Sequence, residues 1–319
     1  MKRDGKSRKE AVLPTTILST RATTKIGTWN VRTMYEVGKT AQIANEMEAY
    51  SLDILAISEA RWTGSGHMQL NSGVKLLYSG HEEEDAPHTE GVALMLSKHA
   101  QKSFIGWQPH GPRIMEASFK TKQKRINLNI INCYAPTNES EDTDKDQFYN
   151  RLQTIIDTLS PRDINIVLGD LNAKVGCDNT GYDEIMGKQG LGEMNDNGER
   201  FANMCATNNF VIGGTIFQHK RIHKATWVSP DNLTENQIDH ICITKKFRRS
   251  LQDVCVMRGA DVASDHHLVV AKLKMKLKRN VNGDICQRLK YNTTALDDIE
   301  KQRESIVYPF QIVFNLFSI

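Results

Sequence analysis

The feature that most constrains this chain is a set of short apolar runs that each meet a polar group at one end. KIGTWN closes on Asn30, and LDILAIS is followed at once by Glu59. INIVLG runs into Asp170 and then Asn172 (GDLN), QIDHICI carries Asp239 near its start, and SDHHLVV sets Asp265 and His266 at the head of the final run. Runs this short, rich in Ile, Leu and Val, read as buried strands. A charged group beside buried apolar surface costs free energy unless it is paired or hydrogen-bonded. One such junction is ordinary; a whole set is hard to explain as solvated loops.

Further strands are predicted at 74–78 and 91–97, and as a hairpin at 114–119 and 126–133 around TKQKR. Late strands are predicted at 225–228, 237–244, 253–257 and 267–277. In the last, Ala271, Leu273, Met275 and Leu277 alternate with Lys272, Lys274, Lys276 and Lys278, which places one face on a core and lysines in solvent. Apolar residues at helical spacing predict helices over GKTAQIANEMEAYS, over 147–159 (Phe148, Leu152, Ile155) and over 197–208 (Phe201, Met204). Many strands with a few interspersed helices predict an α+β fold with a sheet-on-sheet core and helices outside. Residues 1–24, with Lys2, Arg3, Lys6, Arg8 and Lys9, read as a flexible basic arm. Residues 25–278 read as one domain, and 279–319 as a poorly ordered tail ending in the abruptly apolar YPFQIVFNLFSI.

Hydrophobic residues make up 39% and charged residues 25% of the 319, which excludes a disordered chain. A net charge of +3 permits a nucleic-acid partner without arguing for one. The six cysteines include no CxxC pair, so a zinc site is not expected; several lie in apolar runs, read as small buried side chains, and point to a reducing compartment. No run of about 18 apolar residues is present, so no membrane span is predicted, and the N-terminus does not read as a secretory signal. An intracellular protein is the resulting expectation.

Carboxylates gathered with an amide and a histidine suit a hard cation. Magnesium takes oxygen ligands, keeps several waters and is usually held by one or two carboxylates plus a substrate phosphate. A histidine paired with an aspartate moves protons near neutral pH. Which aspartate pairs with His266 stays open. Each residue has a plain alternative: an Asx turn for Asp170 and Asn172, a structural imidazole for His266, a surface acid for Glu59, a strand-end hydrogen bonder for Asn30 and a core phenol for Tyr134. His240 and His267 read as packing or surface residues, and Trp62 as a core or rim aromatic.

Taken in order, TWNV, Glu59 after its strand, NCYAPT, GDLN, QIDH and SDHH resemble the endonuclease/exonuclease/phosphatase superfamily over residues 25–278. WNVRTM, ISEARW, NCYAPTNESED and VASDHHLV are similar to endonuclease domains of non-LTR retrotransposons and to craniofacial-development-protein-like chains. The resemblance implies a four-layer α/β sandwich, two mixed β-sheets packed face to face with helices outside. It implies an Mg2+-dependent endonuclease acting on DNA, with Mn2+ as an alternative metal, no membrane or small-molecule partner, and nuclear residence. Glu59 with Asn30 beside it would hold the metal, assisted by Asp265. Asp170 would orient or deprotonate the attacking water, and Asn172 would hold that water or a phosphate oxygen. Tyr134 would sit at the phosphate or leaving group, while Asp239 would orient His266 toward a phosphate oxygen. One departure stands out: many repair-type members carry an aspartate two residues after the first asparagine, where this chain has Arg32. Other phosphodiesterases of the fold (abasic-site repair, RNA deadenylation, lipid or inositol phosphate hydrolysis) and a non-catalytic DNA- or chromatin-binding protein are the competing readings.

Overall fold

The structure, a computed structural model, describes residues 16–83 and 85–276. The C-terminal tail expected at 279–319 and the basic cluster of the N-terminal arm lie outside them. Ile17 and Leu18, read from sequence as part of that arm, are instead buried: the Ile17 amide donates to Ser103 Oγ at 2.7 Å, and the Ser19 carbonyl accepts from Met275 N.

Two large sheets dominate. The first contains β1 (Thr24–Asn30), β2 (Ile54–Ser58), β3 (Ser65–Gln69), β4 (Lys75–Ser79) and β5 (Val92–Leu96), closed by two strands from the end of the domain. The second contains β6 (Phe104–Pro109), β7 (Ile114–Lys120), β8 (Asn127–Tyr134), β9 (Ile164–Asp170), β10 (Phe210–Ile212) and β13 (Asp239–Thr244); a small ribbon, β11 (Trp227–Val228) and β12 (Glu235–Asn236), lies between β10 and β13 in the chain. With β14 (Leu251–Met257) and β15 (Leu268–Leu273), the first sheet runs β14-β15-β1-β2-β5-β4-β3 and the second β10-β13-β9-β8-β7-β6. Both are mixed: β1 and β2 are parallel, as are β8 and β9, and their other neighbours are antiparallel.

The period of two along each strand builds the layers. Ile26, Ile54, Ala56 and Leu94 of the first sheet meet Ile130, Ile166, Leu168 and Ile241 of the second in one buried cluster between them. The opposite face of the first sheet (Trp29, Leu55, Ile57, Met95) packs on Ile43 and Met47 of α1 (Lys39–Ala49). The opposite face of the second (Ile131, Val167, Cys242) packs on helices after β8 and β9, through Phe148, Leu152, Phe201 and Cys205. Numbered after the single turn α2 (Lys98–Gln101), these are α3 (Asp142–Thr158) and α4 (Asp196–Thr207). The result is the expected four-layer sandwich.

Departures from the predicted elements are local. Helix α3 starts at Asp142, ahead of its apolar stripe, because Asp142 and Asp144 suit the positive end of a helix. The final strand stops at Leu273 instead of 277, within the described residues. Strand β3, almost entirely exposed, carries no alternating apolar pattern to predict it from.

Candidate active site

The same period of two that fills the core builds the site. On β1 the inward set is Thr24, Ile26, Thr28 and Asn30; on β2 it is Ile54, Ala56 and Ser58; on β9 it is Ile164, Ile166, Leu168 and Asp170. Strand β13 runs antiparallel to β9 and sets Asp239 opposite Asp170, and β8 sets Tyr134 opposite Asp170 on the other side. The β2 and β9 rows are apolar along most of their length and turn polar at one common end of the sandwich, where the β1 row also ends in Asn30. Just beneath that end, Asn132 of β8 donates across the gap to the Ile57 and Ala93 carbonyls at 2.9 and 3.0 Å, tying one sheet to the other.

Glycine is required immediately before Asp170. Gly169 has φ +138°, and a Cβ there would fall 1.8 Å from the Cys133 carbonyl oxygen. The close approach of β8 to β9 therefore dictates the first letter of GDLN.

Asn30 joins the two sheets' acids. Its side-chain nitrogen donates to Glu59 Oε1 at 2.8 Å and to Asp170 Oδ2 at 2.9 Å, while its Oδ1 accepts the Arg32 amide at 2.9 Å. Asp239 Oδ2 accepts from His266 Nδ1 at 3.0 Å, which turns His266 Nε2 toward Asp170 Oδ2, 3.9 Å away. Asp170, Asp239 and His266 are all buried. The loop of His266 is held from below: Ser264 Oγ donates to the Asn30 carbonyl at 2.7 Å, the His266 amide donates to Ser264 Oγ at 3.1 Å, and Trp29 Nε1 donates to the His266 carbonyl at 2.9 Å.

Of the eight residues singled out from sequence, Asn30, Glu59, Asp170, Asp239 and His266 form one connected network. Tyr134 adjoins it beside Glu59 and Asp170. Asn172 makes the Asx turn, its amide donating to Asp170 Oδ1 at 3.0 Å, and its side chain donates to the Ala135 carbonyl at 2.9 Å. Asp265 stands outside that network: Trp227 Nε1 donates to its Oδ2 at 3.1 Å, while its Oδ1, buried and without a hydrogen-bond partner, lies 3.8 Å from Arg32 Nε. His240 packs on Phe201 and meets the Ala173 carbonyl at 2.7 Å, on the far face of the sheet. Trp62 packs edge-on against Tyr78, 5.1 Å between ring centroids.

Sequence reasoning missed Arg61, whose guanidinium pairs with Glu59 at 3.1 Å, and Trp227. It also missed the backbone. Arg32, Glu59, Arg61 and Asn172 all have φ between +48° and +60°, a region that suits Asn but costs the others free energy. No sequence pattern marks such positions in non-glycine residues.

Burial and the Asp239 charge raise the Asp170 carboxyl above its ordinary range, against the pull of His266, Asn30 and the Asn172 amide. Burial works against charging His266, but the Asp239 and Asp170 carboxylates outweigh it and lift the imidazole to about 9. Burial, then the Glu59 and Asp170 charges, push the Tyr134 phenol up, so it is a proton donor at neutral pH. The site thus holds carboxylates, one imidazolium and one neutral phenol.

A divalent cation fits this set. Asp170, Asp239 and His266 each offer a ligand atom within 4.8 Å of the others, Asp239 Oδ1 is buried without a hydrogen-bond partner, and Asn30 draws a Glu59 oxygen toward the same place. The oxygen donors are the chemistry of a hard ion, and His266, while protonated, stands beside such an ion without ligating it.

No described helix is long and apolar enough to cross a membrane. Comparison with known proteins agrees with the geometry. Craniofacial development protein 2 of Bos taurus is 38% identical over 253 residues, covering 79% of this chain and 41% of that protein; the Tragulus javanicus protein matches equally, over 42% of its length. This chain therefore spans about two fifths of the length of these relatives. Among solved structures, AP endonuclease LMAP from Leishmania major superposes with TM-score 0.59 at 15% identity, over 80% of this chain and 88% of that one. A 3'-5' exonuclease (NExo) from Neisseria meningitidis gives 0.57 at 18%, over 78% and 99%. The endonuclease domain of TRAS1, a telomere-specific non-LTR retrotransposon, gives 0.55 at 15%, over 80% and 100%. At these identities the structural likeness shows the fold alone. The sequence model of the Endonuclease/Exonuclease/phosphatase family matches residues 27–266, the stretch that carries every element of the site, and the chain belongs to that family.

Proposed function

We propose that this chain is a DNA endonuclease that hydrolyses phosphodiester bonds with Mg2+, nicking one strand. The observation that carries the reading is the convergence on Asp170 Oδ2 of the Asn30 amide from one sheet and the Asp239-held His266 imidazole. Asn30 and His266, brought from distant chain segments to one carboxylate oxygen, supply what phosphoryl transfer needs, since its catalysis is mostly positioning and charge stabilisation. A Neisseria NExo structure bound to a product DNA hairpin shares the fold and lends support for DNA as substrate.

Bound Mg2+ would neutralise phosphate charge, held by Glu59, with Asp170, Asp239 and His266 close by. Asn30, expected as a ligand, acts here as a donor that orients Glu59 and Asp170. Asp170 accepts the proton of the attacking water, helped by its raised affinity for protons. His266, kept charged by Asp239, faces the phosphate oxygens as the new P–O bond forms. Tyr134, still protonated, donates toward the oxygen that leaves when the old P–O bond breaks. Asp265 acts at one remove, by holding Trp227 and Arg32. A nuclear location follows from the substrate.

The test is plasmid nicking. The purified protein should relax supercoiled DNA with Mg2+ (Mn2+ as the alternative), stop with EDTA, and lose most turnover on His266→Ala or Asp170→Ala. Equal nicking by wild type and both variants sinks the assignment. Arg32, standing where many repair-type relatives have an acid and pairing with Asp265, favours a second reading, DNA binding without turnover. Unchanged DNA binding with no cleavage under Mg2+ or Mn2+ would select it.

A further inference from the structure

The strand ends that carry Asn30 and Glu59 continue directly into loops that meet again a few residues later. Met34 N donates to the Ala60 carbonyl at 3.0 Å, Ala60 N to the Gly91 carbonyl at 2.9 Å and Arg61 N to the Glu90 carbonyl at 2.7 Å. The loop before Glu90 brings His88, whose Nδ1 lies 2.9 Å from the Arg61 carbonyl. On that ring rests Tyr35, centroids 4.4 Å apart and planes at 40°. Tyr35 is 64% exposed, next in the chain to the tied Met34, and its ring rests on His88.

We propose that Tyr35 and His88 form a stacking platform for one unpaired DNA base next to the scissile phosphate, so that the protein selects sites where the duplex is bulged or open. The inference deepens the nuclease reading and rests on it. The spatial link is short: Tyr35 rests on His88, His88 on the Arg61 carbonyl, and the Arg61 guanidinium on Glu59 at 3.1 Å. Arg32 and Arg61 keep 56% and 42% of their side chains exposed and are the cations open to a flanking phosphate, while Glu36 beside Tyr35 and Glu82, Glu83 and Asp85 ahead of His88 are exposed acids on the same loops. A base inside a duplex has both faces covered by its neighbours and offers a protein ring nothing to stack on; an unpaired base does. Because the two rings are already in contact and their loops tied, little ordering remains to oppose binding.

The test separates the platform from the chemistry. A DNA duplex with one bulged 2-aminopurine is titrated with the full chain in EDTA, where binding proceeds without cleavage. Wild type should quench the fluorophore, and a fully paired control should not be quenched. Tyr35→Ala and His88→Ala should each lose the quench and bind the bulged duplex about tenfold more weakly, within the range a stacked base contributes. Tyr35→Phe, which keeps the ring, should retain both, and thermal unfolding of all three variants should match wild type. A wild type that leaves the bulged base unquenched, or a Tyr35→Ala variant that quenches it fully, overturns the platform whatever the plasmid assay shows. Quenching that behaves as expected without any nicking of plasmid tells against hydrolysis and leaves the platform standing.

Discussion

Two clusters in this fold are each built on an aspartate–histidine pair and behave in opposite ways. Asp170, Asp239 and His266 are buried at the polar end of the sandwich; His219, Asp253 and Cys255 gather half-exposed around the edge strand β14. In the second cluster His219 Nε2 sits 2.7 Å from Asp253 Oδ1 and Lys272 Nζ 3.1 Å from Asp253 Oδ2. Burial pushes the Asp253 carboxyl up, but Lys272 and His219 outweigh it and the net shift is down. Asp170 goes the other way: burial and the Asp239 charge raise it past the pull of His266, and among the described residues no lysine or arginine pairs with either acid. The edge cluster answers its own charge and staples a loop to a strand. The buried one leaves charge unanswered, which is the usual mark of a site built for a ligand.

The contrast can be broken most sharply by rate. Asp170→Ala should cut Mg2+-dependent nicking by about 10²–10⁴-fold, the span of one positioned acid–base group. Asp253→Ala should leave it within about twofold. Comparable losses in both would erase the distinction.

Stability against pH comes next. His266 has its folded pKa raised from 6.5 to about 9, so its contribution is complete below 6.5 and is lost as pH climbs through about 9. Asp170, raised from 3.8 to about 7, pushes in the same direction at lower pH, its contribution being lost by about pH 7, so the slope above that belongs to His266. In EDTA, melting temperature should therefore fall between about pH 6.5 and pH 9, by on the order of 3 kcal/mol or roughly 5–10 °C. His266→Gln should flatten that slope. A curve that rises with pH would contradict the charge assignment.

A finer probe is the imidazole itself. Asp239→Asn should lower the His266 titration midpoint seen by nitrogen-edited NMR, because the largest charge holding the proton is gone; an unmoved midpoint would mean Asp239 does not pair with it. The smallest effect belongs to the edge cluster. Lys272→Met removes a partly exposed ion pair and should cost less than about 1 kcal/mol in thermal unfolding. A larger loss would show that this cluster, too, is electrostatically critical.

Much of the sandwich was legible because its strands bury both faces and read as continuous apolar runs. Polar side chains were visible wherever such a run stopped, hence Asn30, Asp170 and Asp239. Pairing across the site was not: nothing in QIDH or SDHH says that Asp239 takes His266 Nδ1, since that contact depends on β13 lying beside β9 and on the loop before β15. Asp265, next to His266 in sequence, reads as a metal ligand; its Oδ2 accepts from Trp227 Nε1, a contact no motif announces, while its Oδ1 is buried without a hydrogen-bond partner. Tyr35 carries no periodicity to mark it, and His88 reads from sequence as part of a solvated loop, since no local pattern says that the two rings meet.

The inward rows have a lasting consequence. Asp170 faces the gap between the sheets because it is the fourth alternate residue of β9, in step with Ile164, Ile166 and Leu168. Inserting or deleting one residue within that strand would turn the whole row to the helix side and carry the acid away with it. Chemistry and packing in this protein are thus written in the same phase, and the register of β9 holds both in place.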